Sequence, residues 1–363
     1  LLCSCSSPDP PRDARRLNKN MLRISCVAFA TVALSLLTAN SFTPVVVVLA
    51  PKQNAHRMVS MNAFGGLARK MKEKEVAGLR EKHSDLLAER GSRTVSNEIA
   101  TSLKKRPGAL SLIAEYRRKG VNQGTIGEVF PPYIMSREFR GAGAEVVSVL
   151  MEKATGACTV EDVEAIVKEQ ATAVNGYPGP RPVIWNDLVI DEVQLALAAN
   201  SGCKGVILSA GALGDSLGEM MTAAAEYGLE VVVEVKSAAE VEEFASNPLA
   251  AKAPMVALSG VNVEDAIPLM PLLPSNAIKI YFIPVYDDKQ LIEAEDAWRL
   301  RDAGCQSIWA SEVLFKFSSD DGEHATSVIM AIKSKGSVKY ARASGAYIGK
   351  GEGAKEFLGT INM

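Results

Sequence analysis

The sequence predicts an α/β protein, and within that class a (β/α)8 TIM barrel with an N-terminal helical extension. Three observations predict it. From Ser111 onward, eight short apolar runs recur about every 20–40 residues. Helical patterns with recognisable starts and stops lie between them. No Gly-rich phosphate turn follows the first run, as an open doubly wound sheet would usually show. Eight β-α units in about 250 residues suit a closed barrel.

Composition narrows the function classes. The chain has 363 residues, 47% hydrophobic and 23% charged, which is ordinary for a globular protein. Net charge is −2, from 40 basic and 42 acidic residues, so no field points to nucleic acid. The six cysteines, at positions 3, 5, 26, 158, 203 and 305, form no C-x-x-C pair, and the three histidines are not at metal spacing. This argues against a zinc site or a disulfide framework, and no metal or cofactor is expected. Cys158, Cys203 and Cys305 read as small apolar residues in a reducing compartment.

The N-terminus reads as an address. Residues 1–20 precede the first methionine, Met21, and are expected to be a gene-model extension. Residues 21–41 read as a signal peptide: Arg23 precedes an apolar run from Ile24 to Leu37, and Ala39 and Ser41 give a small-x-small cleavage site. Residues 42–62 contain Lys52, His56 and Arg57 and no acid, the composition of a transit peptide. Ala-Asn-Ser-Phe (39–42) resembles the Ala-Ser-Ala-Phe signature of bipartite plastid presequences in algae with red-lineage plastids. The expected location is therefore the plastid (chloroplast) stroma, with no membrane span in the mature protein. A plain secretory signal or a membrane anchor is the alternative.

Residues 63–110 form the N-terminal extension. Leu67, Met71, Val76, Leu79 and Leu86 recur at helical spacing and predict an amphipathic helix to about Arg90. Residues 111–363 form the barrel. Its strands are expected at Leu112–Tyr116, Glu145–Leu150, Val183–Asn186, Gly205–Ser209, Glu230–Val235, Met255–Ser259, Ile278–Ile283 and Ser307–Ala310. Gly141-Ala142-Gly143 closes a helix before the second strand. Asp191 can cap the helix that ends at Gly202, and Asp215 or Ser216 the one that ends at Gly228. Ser237 and Glu240 form a capping box, and Asp287 or Asp288 can start the helix that runs to Gly304. Gly349-Lys350-Gly351-Glu352-Gly353 looks like a nucleotide loop, but no βαβ unit follows it.

The first strand carries the chemistry. Leu112, Ile113 and Ala114 lead into Glu115 and then Arg117, Arg118 and Lys119, a packed strand ending in charge at the functional edge of a parallel sheet. The stretch resembles the first strand of indole-3-glycerol phosphate synthases, IAE-x-K-[KR]-x-SPS. Ile113, Ala114 and Glu115 match, Arg117 replaces a lysine, and Gly120-Val121-Asn122 replaces the SPS. Ser148–Ala157 resembles the family's second strand, with Glu152, Lys153 and Gly156 matching. The resemblance runs from about Ala63 to Phe315.

The resemblance implies a carbon–carbon lyase of tryptophan biosynthesis. Its substrate, a carboxylated anilino-deoxyribulose phosphate, closes a ring and loses CO₂ and water. It also implies a lysine acid on the third strand and glutamates on the first and fifth. Glu115 and Glu234 fill the glutamate positions. Asn186 stands where the lysine belongs, and an amide cannot supply a proton; losing a positioned proton donor typically costs about 10²–10⁴-fold. Ser259 replaces an asparagine on the sixth strand. Phe282 and Ile283 replace a glutamate-serine pair on the seventh, and Pro284 removes a backbone donor there. Ser311 and Glu312 fall on the phosphate turn of the eighth, where a carboxylate would repel phosphate.

Three readings follow. The first is a non-catalytic relative, a pseudoenzyme kept for binding or assembly, with a protein partner in the plastid or a small phosphorylated or anionic ligand at the barrel mouth. Arg117, Lys153 and Ser311 are then the expected ligand contacts. The second is a working synthase with an unusual site, in which Lys153 or Lys236 replaces the missing acid; Lys279 sits early on its strand, at the far face. The third is a barrel enzyme with another small substrate, using Glu115, Glu234 and Arg117. Glu115 and Glu234 could equally be acids paired with Arg117 and Lys236. Phe282, Trp185 and Trp309 are expected to fill the mouth with apolar bulk.

Overall fold

A computed structural model of the chain describes residues 58–120, 124–125, 130–286, 292–315 and 323–334. The presequence segments and the Gly349–Gly353 loop lie outside the described residues, as do Asp287 and Asp288. Eight parallel strands close into a barrel: β1 (Ser111–Tyr116), β2 (Val146–Leu150), β3 (Val183–Asn186), β4 (Gly205–Ser209), β5 (Glu230–Val235), β6 (Met255–Leu258), β7 (Ile278–Phe282) and β8 (Ser307–Ala310). Each strand pairs with its neighbours in sequence, and β8 pairs back onto β1, with Ser111 opposite Ser307. The spans agree with those expected to within a residue at each end.

Side chains alternate along each strand, so one set faces the barrel axis and the other faces the helices. Ile113, Val146, Ile184, Ile207, Val232, Ala257, Ile280 and Trp309 pack together as the inner core. Leu112, Ala114, Val147, Trp185, Leu208, Val233, Tyr281 and Ile308 belong to the larger core between strands and helices. Trp185 therefore lies on the outer face, not in the mouth. Its neighbour Asn186 takes the inward position, and parity sends the indole the other way.

The N-terminal end of the barrel is stoppered by α2 (Glu98–Leu103), whose Ile99 and Leu103 join the inner core. Asn97 before it is left-handed (φ 57°) and its side chain makes no cap. Glu230 of β5 does so instead, accepting from Ile99 N (2.7 Å) and Ala100 N (2.9 Å). A Cβ on Gly205 would stand 2.5 Å from Ile99 Cδ1, so only glycine lets α2 sit this deep.

The extension begins with α1 (Met58–Lys82) and continues as a 3-10 turn over Ser84–Glu89. The outer helices start and stop where local chemistry says they should. Gly143 (φ 98°) ends α3 (Pro132–Ala142), and Asp191 accepts from Val193 N at the head of α4 (Glu192–Asn200). Only half of the expected Ser237–Glu240 box forms. Ser237 Oγ accepts from Glu240 N (3.1 Å), but Glu240 Oε2 accepts from Lys236 N rather than from Ser237 N. Cys158, Cys203 and Cys305 are free and buried. No helix among the described residues is long and apolar enough to cross a membrane.

Candidate functional site

The C-terminal ends of the strands form the mouth, and Glu115 is its centre. Inward parity on β1 points its side chain into the barrel, where it is buried. Oε2 accepts from Asn186 Nδ2 (2.6 Å), Trp309 Nε1 (2.8 Å) and Ser148 Oγ (3.2 Å). Oε1 accepts from Ser311 Oγ. Four protein donors thus surround the Glu115 carboxylate, three on Oε2 and one on Oε1. Sequence reasoning named Asn186 and Ser311 as substitutions and Trp309 as bulk, and missed Ser148. The signal for all four was available in strand parity, since Ser148, Asn186 and Trp309 are inward positions on β2, β3 and β8, and Ser311 continues the β8 parity one residue beyond its end.

Arg117 is engaged in the same way. Its side chain is 6% exposed. Nε donates to Lys119 O (2.7 Å), one terminal nitrogen to Thr155 O (2.8 Å) and the other to Ser311 Oγ (3.3 Å). The carboxylate it pairs with is Glu312, at 3.6 Å. The guanidinium fork thus ties the loops after β1, β2 and β8 together. Gly156 completes this corner. A Cβ there would lie 2.1 Å from Leu150 O, so glycine is required for the loop to fold back on β2.

Between the ends of β7 and β8, the rings of Phe282 and Trp309 stack, with centroids 4.5 Å apart and planes 18° from parallel. Trp309 is fully buried and joins the inner core; Phe282 packs on its outer side. Across the barrel, β5 carries a different arrangement. Glu234 Oε1 accepts from Ser259 Oγ (2.6 Å), and Oε2 pairs with Lys236 Nζ at 3.1 Å. Lys236 is 49% exposed. The pairing expected for Glu234 is present, whereas that expected between Glu115 and Arg117 is replaced by neutral donors on the acid and by Glu312 on the base.

Lys72 was not among the residues expected at the site. An amphipathic helix ordinarily turns a lysine to solvent, but this side chain is 1% exposed. It reaches Asp187 Oδ1 (2.7 Å), Glu152 Oε2 (3.1 Å) and Glu75 Oε2 (3.3 Å). Burial opposes its charge, but Asp187, then Glu152 and Glu75, outweigh burial and hold its pKa above the usual lysine range. For Asp187, burial pushes the carboxyl up, and Lys72 and Gln194 pull it down. Lys153, expected as a ligand contact, is 72% exposed and pairs with Glu75 (3.2 Å). These pairs bind α1 over the ends of β2 and β3. Among the described residues no cluster of histidine, cysteine and carboxylate could hold a metal.

Residues 67–270 match the family profile described as Indole-3-glycerol phosphate synthase. The matched span ends before β7. Similar proteins include an indole-3-glycerol phosphate synthase of Chlorobium limicola, 30% identical over 67% of this chain and 91% of the relative. Another, from Campylobacter curvus, is 29% identical over 55% of this chain and 74% of the relative. Among solved structures, a tryptophan synthase alpha chain from Legionella pneumophila aligns at 12% identity with a TM-score of 0.47, over 66% of this chain and 96% of that one. The matched profile covers more than half of these 363 residues, and the chain belongs to the indole-3-glycerol phosphate synthase family.

Proposed function

We propose that this chain is a non-catalytic member of its family, a plastid protein that uses the barrel for binding or assembly. The observation that carries this reading is the state of Glu115. A catalytic carboxylate needs an acceptor site free to meet the substrate or its proton. Glu115 is buried and already meets four protein donors, Asn186, Trp309 and Ser148 on Oε2 and Ser311 on Oε1, which hold it in place and wall it off from the mouth. One of those donors, Asn186, stands where the family resemblance calls for the general-acid lysine. Stacked Phe282 and Trp309 occupy the strand ends where that resemblance calls for polar partners of the substrate.

The test is a steady-state assay of the full chain with the anilino-deoxyribulose phosphate, following indole-glycerol fluorescence. The expected result is no turnover above background, with none restored by Asn186→Lys. Turnover that Glu234→Gln abolishes would overturn the reading. A fluorescent fusion of the full chain that stays outside the plastid would remove the localisation.

One observation favours a second reading, a divergent synthase. Lys236 Nζ lies 3.1 Å from Glu234 and is half-exposed at the mouth, so a titratable cation stands beside a retained family acid. In that case Lys236→Met abolishes turnover while Lys153→Met leaves it intact.

A further inference from the structure

The opposite face of the barrel carries a second charged feature, remote from the strand ends that bear Glu115 and Glu234. A cleft of about 360 Å³ opens between the loop joining α2 to β1, the start of β7, and the loop leading into β8. Its charged lining is Lys105, Arg106, Lys279 and Arg301, and no carboxylate lines it. Arg106 is held on its rim by a tight turn. Pro107 and Gly108 (φ 84°) are the turn's central residues, and Ala109 N donates to Arg106 O at 3.0 Å. Arg106 itself makes no side-chain hydrogen bond or ion pair among the described residues.

The surrounding acids do not neutralise this charge. Lys105 pairs with Glu145 at 3.4 Å, and Glu145 also takes Lys333. Arg301 pairs with Asp302 at 3.0 Å. Among the described residues, Lys105 thus shares one carboxylate with Lys333, and Arg106 and Lys279 meet none. Lys279 is the most informative of them. It points outward from β7, where β-strand parity usually places an apolar residue. Among the described residues its ammonium donates only to a neutral acceptor, Met270 O, at 2.6 Å. Burial pulls its pKa below the usual lysine range, with no carboxylate acting against that. A half-buried lysine without a counterion is a poor way to stabilise a barrel. Conservation of structure at the N-terminal face of such barrels is ordinarily a matter of packing. An anion in the cleft would supply the missing counterion.

We propose that this cleft binds a small phosphate-bearing anion, held between Arg106 and Lys279, with Lys105 and Arg301 completing the field. The volume suits a small metabolite rather than a polymer, and a planar arginine with an ammonium is a common pairing for a phosphate. The inference is independent of whether the mouth is catalytic.

The test is calorimetric titration of the full chain with inorganic phosphate, pyrophosphate and glycerol 3-phosphate at low salt. Saturable binding is expected. Arg106→Glu and Lys279→Met should each weaken it by about tenfold or more, the loss of one close charge contact. Lys236→Met at the mouth should leave it within about twofold. Tighter binding of glycerol 3-phosphate than of phosphate would assign the rest of the cleft to an organic moiety; the reverse order would make the site one for the free ion. Lys279→Met keeps the side-chain stem, and its Tm should equal or exceed that of the parent. No saturable binding, binding that either cleft variant leaves unchanged, or binding lost in Lys236→Met would each overturn the proposal.

Discussion

Glu115 and Glu234 are two glutamates at the C-terminal ends of strands on opposite sides of one barrel, and their surroundings differ in kind. Glu115 is sealed among four neutral donors from β2, β3 and β8 and the residue after β8. Glu234 meets one hydroxyl and one half-exposed ammonium. Both are glutamates at inward positions near the ends of their strands, so residue identity alone does not separate them. The neighbours do. The donors around Glu115 turn a position that could carry chemistry into a structural joint between strands, while Glu234 keeps a titratable partner facing solvent.

The largest effect that could break this contrast is on stability. Glu115→Ala strands four buried donors, each worth about 1–3 kcal/mol when left unmade, though the hydroxyls can re-aim. A loss of about 3–5 kcal/mol is expected, or roughly 10 °C in Tm. Glu234→Ala should lose about 1 kcal/mol or less, because Lys236 can turn to water and the Ser259 hydroxyl can re-aim. Denaturant unfolding of the two variants measures both. Equal losses would mean that the two acids have the same role.

Lys72 sharpens the comparison from outside the barrel. Lys72→Met removes the cation that, among the described residues, pairs with Asp187, and should cost about 3 kcal/mol. The deficit should depend on pH. Without Lys72, burial and Glu152 are opposed only by the Gln194 hydrogen bond and raise the Asp187 pKa further, so the folded state holds that proton more tightly than the unfolded chain. Stability then falls as pH rises from the unfolded aspartate pKa to the folded one, and the gap to the parent narrows in acid. A gap that widens in acid would show that Lys72 is not the compensating charge. A smaller effect is expected at the aromatic pair. Phe282→Leu loses the stack on Trp309, worth about 0.5–1.5 kcal/mol beyond area, and should lower stability by about 1–2 kcal/mol while leaving the four bonds to Glu115 intact.

What could be read from the sequence, and what could not, follows the range of the interactions. Strand spans were legible because alternation and helix caps are local; Asp191 and Gly143 act within a few residues of where they stand. Glu115, Arg117 and Asn186 were legible as positions, through the family resemblance. Their bonds were not, because the donors to Glu115 come from strands 33 and 194 residues away. Trp185 was misplaced because a bulky aromatic near a strand end was read by size, when parity with Asn186 decided its direction. Lys72 was invisible because helical periodicity assigns a lysine to solvent, and only the meeting of three acids from α1, β2 and β3 reverses that. Lys279 was placed at the far face, from its early position on β7, but nothing local told that it would lack a counterion.

The smallest expected effect is the one that best isolates Glu234. Lys236→Met removes an ammonium 3.1 Å from the carboxylate but half in solvent, and such pairs are worth about 0–1 kcal/mol. Stability should be unchanged within that range, and it should respond little to salt. The change should be local: with Lys236 gone, Glu234 keeps the Ser259 hydroxyl, and its carboxylate resonance should move, which NMR of the glutamate side chains can follow. Glu115 should not respond, since its four donors are untouched. If the Glu115 signals move with those of Glu234, the two acids are coupled across the barrel, and the division of the mouth into a sealed side and an open side fails.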